Sequence, residues 1–125
     1  MPRVTHFEIL TRDPERAIRF YSELLDWTFT HVEGHEDYWH IRTGAAEEPG
    51  INGGLTRPYF EGAGPGTGSW ICTVEVDSID RYVQRIETCG GAIAVPRFAI
   101  AGVGFMLHAR DPDGNVFGLI EKTKP

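Results

Sequence analysis

His6 and Glu8 stand two residues apart in the segment Val4-Thr5-His6-Phe7-Glu8-Ile9-Leu10. In an extended strand alternate residues share a face, so this spacing sets an imidazole beside a carboxylate. Such a pair can form an ion pair or work as a general base. His6 and Glu8 are therefore the catalytic candidates. Trp70, Cys72, His40, His108 and Gly118 are the ligand-binding candidates, with the Trp70 indole suited to stacking on a planar or cyclic molecule.

Other chemistry fails on spacing. His35-Glu36-Asp37-Tyr38-Trp39-His40 resembles a zinc-protease motif, but its histidines are one residue too far apart, and Gly34 precedes it. Asp111-Pro112-Asp113-Gly114-Asn115 opens like a calcium loop, yet Lys122 stands where that loop needs its bidentate glutamate, so it reads as a turn. Cys72 and Cys89 form no CxxC and read as reduced thiols of a cytoplasmic protein. The glycine-rich run at 62–68 carries no following Lys-Ser/Thr and reads as a linker rather than a phosphate loop.

These residues need elements to position them. The strand at 4–10 is followed by Asp13 as a helix cap with Pro14 in the first turn, and Ala17, Ile18, Tyr21, Leu24 and Leu25 make one apolar helix face. Strands are predicted at 28–32, 38–42 and 51–55. The order then restarts: a strand at 70–76, Asp77 as a cap, and a helix with Ile79, Tyr82, Val83 and Ile86 on its apolar face, ending at Cys89-Gly90-Gly91. Strands at 92–96, 104–110 and 115–121 complete it, the last two joined by the turn at 111–114.

A βαβββ unit used twice accounts for this order. The expected fold is α+β: module 1 over about 3–58, a linker over about 59–68 and module 2 over about 69–123. The two modules, too small to bury much core alone, would pack as paired curved sheets around a shared cavity with the helices outside. Phe7, Ile9, Ile71, Phe117 and Leu119 would face the helices. His6, Glu8, Trp70, Cys72, Val116, Gly118 and Ile120 would line the cavity, and the apolar loop at 99–104 reads either as a lid or rim or as a plain connection between strands.

Composition narrows the class. The chain has 125 residues, 41% hydrophobic and 24% charged, which fits one ordinary globular domain. A formal net charge of −6 with no basic cluster excludes nucleic acid as a natural partner. No apolar run approaches the roughly 20 residues of a membrane helix, and no secretory leader is evident, so a cytoplasmic location without membrane association is expected.

The elements also carry a resemblance. His6-Phe7-Glu8-Ile9 followed by Asp13-Pro14-Glu15-Arg16-Ala17 and Phe20-Tyr21 resembles the opening of the vicinal oxygen chelate superfamily. That group holds glyoxalase I, extradiol dioxygenases, fosfomycin-resistance enzymes and bleomycin-resistance proteins. Asp111-Pro112-Asp113-Gly114-Asn115-Val116-Phe117 resembles its closing signature. Gly53-Gly54 and Ile100-Ala101-Gly102-Val103-Gly104 resemble a branch of small glyoxalase-like proteins.

In metal-using members the resemblance implies ligands from four strand positions. His6 matches the first. Trp70, as far before Asp77 as His6 is before Asp13, falls on the second-module equivalent, and the closing carboxylate position is Gly118. The 51–55 strand offers no carboxylate or imidazole. Indole has no lone pair to give and glycine no side chain, so a divalent ion (Zn, Ni, Mn or Fe) would need His6 with rearranged partners such as Glu8, His40 or His108. The residues favour His6 as a hydrogen-bonding pocket histidine without metal, and Glu121, on the other face, does not replace the missing ligand. The resemblance implies a small-molecule partner and a homodimer. It leaves two functions open: a glyoxalase/dioxygenase-like enzyme acting on a small oxygenated molecule, or a non-catalytic sequestering protein of the bleomycin-resistance type.

Overall fold

The computed structural model describes residues 2–58 and 69–123, and the predicted linker at 59–68 lies outside them. The chain is α+β: the described residues form eight strands and two helices in two βαβββ runs. It divides into two compact units: His6–Trp70, and Met1–Thr5 together with Ile71–Pro125. Among the described residues no helix is long and apolar enough to cross a membrane.

The first run comprises β1 (Arg3–Leu10), α1 (Pro14–Leu25), β2 (Thr28–His31), β3 (Tyr38–Arg42) and β4 (Gly53–Thr56). Asp13 caps α1 as its spacing predicts: its side chain accepts from the Arg16 N–H, and Pro14 occupies the first turn. The helix stops where Asp26 turns left-handed at φ 62. The strand order is β2-β3-β4-β1, with β1 and β4 parallel and the rest antiparallel.

On one sheet face Phe7, Ile9, Ile41 and Leu55 form a buried core against Ala17, Ile18 and Tyr21 of α1. Full burial of an aliphatic side chain of this size contributes about 1.5–3 kcal/mol. Leu24 and Leu25, expected on the buried stripe, are instead 63% and 44% exposed. They lie in the last turn of α1, which runs past the sheet core.

The second run comprises β5 (Trp70–Glu75), α2 (Asp80–Thr88), β6 (Ala92–Ile100), β7 (Gly104–Arg110) and β8 (Val116–Lys122), ordered β5-β8-β7-β6 with β5 and β8 parallel. Tyr82, Val83 and Ile86 of α2, with Ile79 before it, pack against Leu107, Ala109 and Leu119.

Three expectations are corrected here. Asp77 does not cap α2, which begins later; the N–H of Ile79 instead donates to Glu121 Oε1 at 2.8 Å. Strand β6 continues past Pro96 to Ile100, because register shifts between Ile93 and Phe98 absorb the missing N–H on a strand at the end of the order. The 99–104 segment is not an open loop: Ile100 pairs with Gly104 and the Val103 N–H donates to the Ile100 carbonyl, closing a tight β6–β7 hairpin turned at Gly102 (φ 77). The 111–114 turn forms as predicted, with Asp111 Oδ1 accepting from the N–H groups of Asp113 and Asn115, both at 2.9 Å.

Candidate functional site

Strand alternation on β1 sends Phe7 and Ile9 to α1 and leaves His6 and Glu8 on the opposite face. Register then decides what meets them. Glu8 stands opposite Gly54 on β4, and Gly54 stands opposite His40 on β3. A row of Glu8, Gly54 and His40 therefore crosses the sheet with an empty middle position. Tyr38, two residues from His40 on the same face, leans into that gap; a Cβ at position 54 would run into its hydroxyl and ring.

The phenol that fills the gap closes a polar cluster. Tyr38 Oη donates to Glu8 Oε2 at 3.1 Å and lies 3.4 Å from His6 Nε2. His6 Nε2 is 3.9 Å from Glu8 Oε2. The side chains of His6 and Glu8 are 29% and 8% exposed, so the imidazole fronts the solvent and the carboxylate sits behind it. Burial first, then the charge and hydrogen bond of Glu8, hold the Tyr38 hydroxyl protonated well above the ordinary phenol range. The result is a buried carboxylate, a phenol whose ionisation is pushed up and a partly exposed imidazole, with the phenol oxygen within hydrogen-bonding distance of both.

Tyr38 is the member that sequence reasoning missed. Its parity with His40 was visible, but its reach to Glu8 depends on the β3–β4 register that puts glycine between them. The Gly53-Gly54 pair was the available signal. His40 is exposed and meets Tyr38 edge-on at 5.8 Å between ring centroids, and the His35 ring lies 6.3 Å from that of Tyr38. Both histidines of the protease-like motif are thus ring neighbours of Tyr38.

Trp70 does not join this cluster. Its ring stacks on Phe7 at 5.3 Å, meets Tyr21 and Trp27 and donates from Nε1 to Tyr21 Oη at 3.3 Å, all on the α1 side. The expected face of β5 is reversed. Thr73 is opposite Gly118, and Val74 packs with the α2 core, so Ile71 and Thr73 share a face with Gly118 while Cys72 alternates with Val74. Counting back from Asp77 misses the register by one residue, because the connection from β5 to α2 is one residue longer than that from β1 to α1. Matched by register, Glu8 with Gly54 corresponds to Thr73 with Gly118, and the counterpart of His6 is Ile71.

Cys72, His108 and Gly118 belong to the second unit. Cys72 is exposed, and His108 is fully buried with its ring stacked on Phe98 at 6.2 Å. Gly118 is closely packed: a Cβ there would come within 2.7 Å of the Met106 methyl and 3.0 Å of Thr73 Oγ1. The parallel strand pair of each module thus has a glycine whose side-chain space is filled by a neighbour, Tyr38 in one and Met106 in the other.

These residues do not fit a chelated divalent ion. Among the described residues no three His, Cys, Asp or Glu side chains converge as a ligand set. His6 and Glu8 supply two donors, and the third group at that point is a phenol that keeps its proton.

Comparison with known proteins accords with this architecture. A family model described as Glyoxalase/Bleomycin resistance protein/Dioxygenase superfamily matches residues 3–119. "Putative glyoxylase CFP32" of Mycobacterium bovis and of Mycobacterium tuberculosis is 27% identical over 119 residues, covering 94% of this chain and 44% of the relative. The chain therefore spans less than half the length of the curated relatives it matches. Among solved structures, a Streptomyces coelicolor methylmalonyl-CoA epimerase in complex with 2-nitronate-propionyl-CoA superposes with TM-score 0.69 at 17% identity, covering 100% of this chain and 99% of that one. A superfamily member from Vibrio splendidus gives TM-score 0.64 at 15% identity, covering 98% and 100%. At such identities the likeness is one of fold.

Proposed function

The chain belongs to the Glyoxalase/Bleomycin resistance protein/Dioxygenase superfamily, and on that premise we propose that it binds a small oxygenated molecule at the His6–Glu8–Tyr38 face and moves a proton there without metal. The observation that carries this reading is the buried Glu8 carboxylate held behind an accessible imidazole by the Tyr38 hydroxyl. A partly exposed histidine backed by a buried carboxylate suits proton abstraction from a carbon made acidic by a neighbouring carbonyl. Among the similar folds is an epimerase solved with an acyl-CoA analogue; epimerisation beside a carbonyl takes off and returns such a proton. A homodimer, implied by family resemblance, is part of the same proposal.

The test is hydrogen exchange at carbon. Hydroxyacetone and a methylmalonyl thioester are incubated with the protein in deuterium oxide and followed by proton NMR. Loss of the α-proton signal with wild type, slowed at least about tenfold in His6→Ala, is the expected result. No exchange with either probe above the protein-free rate would sink the proton-transfer reading.

A second reading, sequestration without turnover, is favoured by the rings of His35, Tyr38 and His40 grouped beside His6, a surface suited to planar ligands. Saturable binding of an aromatic ligand, unchanged in composition after long incubation, would support it.

A further inference from the structure

Resting on the proton-transfer reading and extending it, we infer that Tyr38 is a positioning residue that fixes the tautomer of His6, placing the ring proton on Nε2 and leaving Nδ1 as the base. The argument is one of counting protons. A phenol has one O–H, and an ionised carboxylate can only accept. Tyr38 Oη lies 3.1 Å from Glu8 Oε2, so that proton is committed to the carboxylate. The contact of 3.4 Å between Tyr38 Oη and His6 Nε2 then needs a proton from the imidazole side. With the tautomer reversed, Nε2 would present a lone pair to the phenol oxygen and, at 3.9 Å, to the Glu8 carboxylate, while the one phenol proton stays between Tyr38 and Glu8 and none is left for Nε2. In a part-buried site that arrangement is repulsive.

Two further observations agree. Burial and Glu8 keep the phenol protonated, so the chain of donors runs in one direction from imidazole to phenol to carboxylate. Gly54 makes the chain possible, because any side chain there would displace the hydroxyl from between Glu8 and His6. In the neutral ring, protonation at Nε2 leaves the lone pair on Nδ1, the nitrogen that Tyr38 and Glu8 do not engage. A proton taken by Nδ1 creates an imidazolium whose charge Glu8 stabilises at close range, without the carboxylate touching substrate.

The experiment reads the tautomer directly on the full-length, ligand-free protein, by heteronuclear NMR with isotope-labelled histidine above neutral pH. His6→Gln identifies the His6 resonances among the five histidines. The wild type is expected to show His6 as the Nε2–H tautomer. Tyr38→Phe and Glu8→Leu are expected to shift it toward a mixture, whereas Glu8→Gln, which retains an acceptor for the phenol, keeps Nε2–H. An Nδ1–H tautomer in the wild type overturns the inference without recourse to any variant. So does a tautomer unmoved by both Tyr38→Phe and Glu8→Leu, with near-ultraviolet circular dichroism verifying that each is folded. Carbon-exchange rates on the same samples separate this inference from its premise. Exchange by the wild type with an unresponsive tautomer overturns the positioning role alone; a responsive tautomer with no exchange supports the positioning role and overturns the proton-transfer reading.

Discussion

Tyr38 carries an unusual load for one residue: its ring fills the space above Gly54, its hydroxyl ties Glu8, and its oxygen meets His6. That arrangement has a measurable consequence in alkali. Below about pH 10 a phenol is protonated in folded and unfolded chains alike, and the group makes no pH-dependent contribution. Above that value the unfolded chain loses the proton while burial and the Glu8 carboxylate make the folded chain keep it. Stability therefore falls as pH rises, by at most about 1.4 kcal/mol per pH unit for this one proton. Denaturant titrations across the alkaline range should show a shallower fall in Tyr38→Phe than in wild type, with Glu8→Gln in between because one of the causes is gone. Identical slopes for wild type and Tyr38→Phe would mean that the phenol ionises freely. His6 and Glu8 were legible from strand alternation alone, since two residues two apart need no tertiary information to share a face. Tyr38 was not, because its partner lies thirty residues away and the contact exists only through pairing with a glycine strand.

Helix starts show where local sequence rules hold and where they fail. Asp13 followed by Pro14 carries its own capping geometry, so α1 was readable from a few consecutive residues. Asp77 offered the same residue type, but α2 takes its first-turn hydrogen bond from Glu121, forty-two positions along the chain at the end of β8. Strand parity sets Glu121 away from the missing-ligand position, but it accepts from the Ile79 N–H at the start of α2 rather than facing the exterior, a contact that exists only once β8 is paired and placed. The connection from β5 to α2 is also one residue longer than that from β1 to α1, so counting back from Asp77 matches His6 to Trp70 instead of Ile71. Glu121→Ala should lower stability by about 1 kcal/mol, the usual worth of a cap, while Asp77→Ala should change it by less than about 0.5 kcal/mol. Urea denaturation of both variants checks this pair of numbers. A larger loss from Asp77→Ala than from Glu121→Ala would restore the sequence reading of the helix start.

Across the whole molecule the same device occurs twice, and it bears on what the protein can hold. Each module keeps its parallel strand pair, and each has glycine at a position where the family resemblance led one to look for a metal-binding side chain. A lost ligand alone would leave a hole. Here the holes are filled, by the Tyr38 phenol in one module and by Met106 packed against Thr73 in the other. In either module a ligand side chain at the glycine would have to displace its neighbour, a hydrogen-bonded phenol in one and a close-packed methionine in the other. This argument can be tested through stability. An ion that binds the folded chain alone at a hundred times its dissociation constant adds about 2.7 kcal/mol, a shift of several degrees in the unfolding midpoint for a chain of this size. Thermal unfolding after exhaustive chelation and again with Zn²⁺, Ni²⁺, Mn²⁺ or Fe²⁺ should give one midpoint within a degree or so, with elemental mass spectrometry finding well under one ion per chain. A midpoint raised by several degrees by any of the four, and returned to the chelated value by His6→Ala, would establish a rebuilt metal site and remove the basis for reading the His6–Tyr38–Glu8 chain as a purely protonic one.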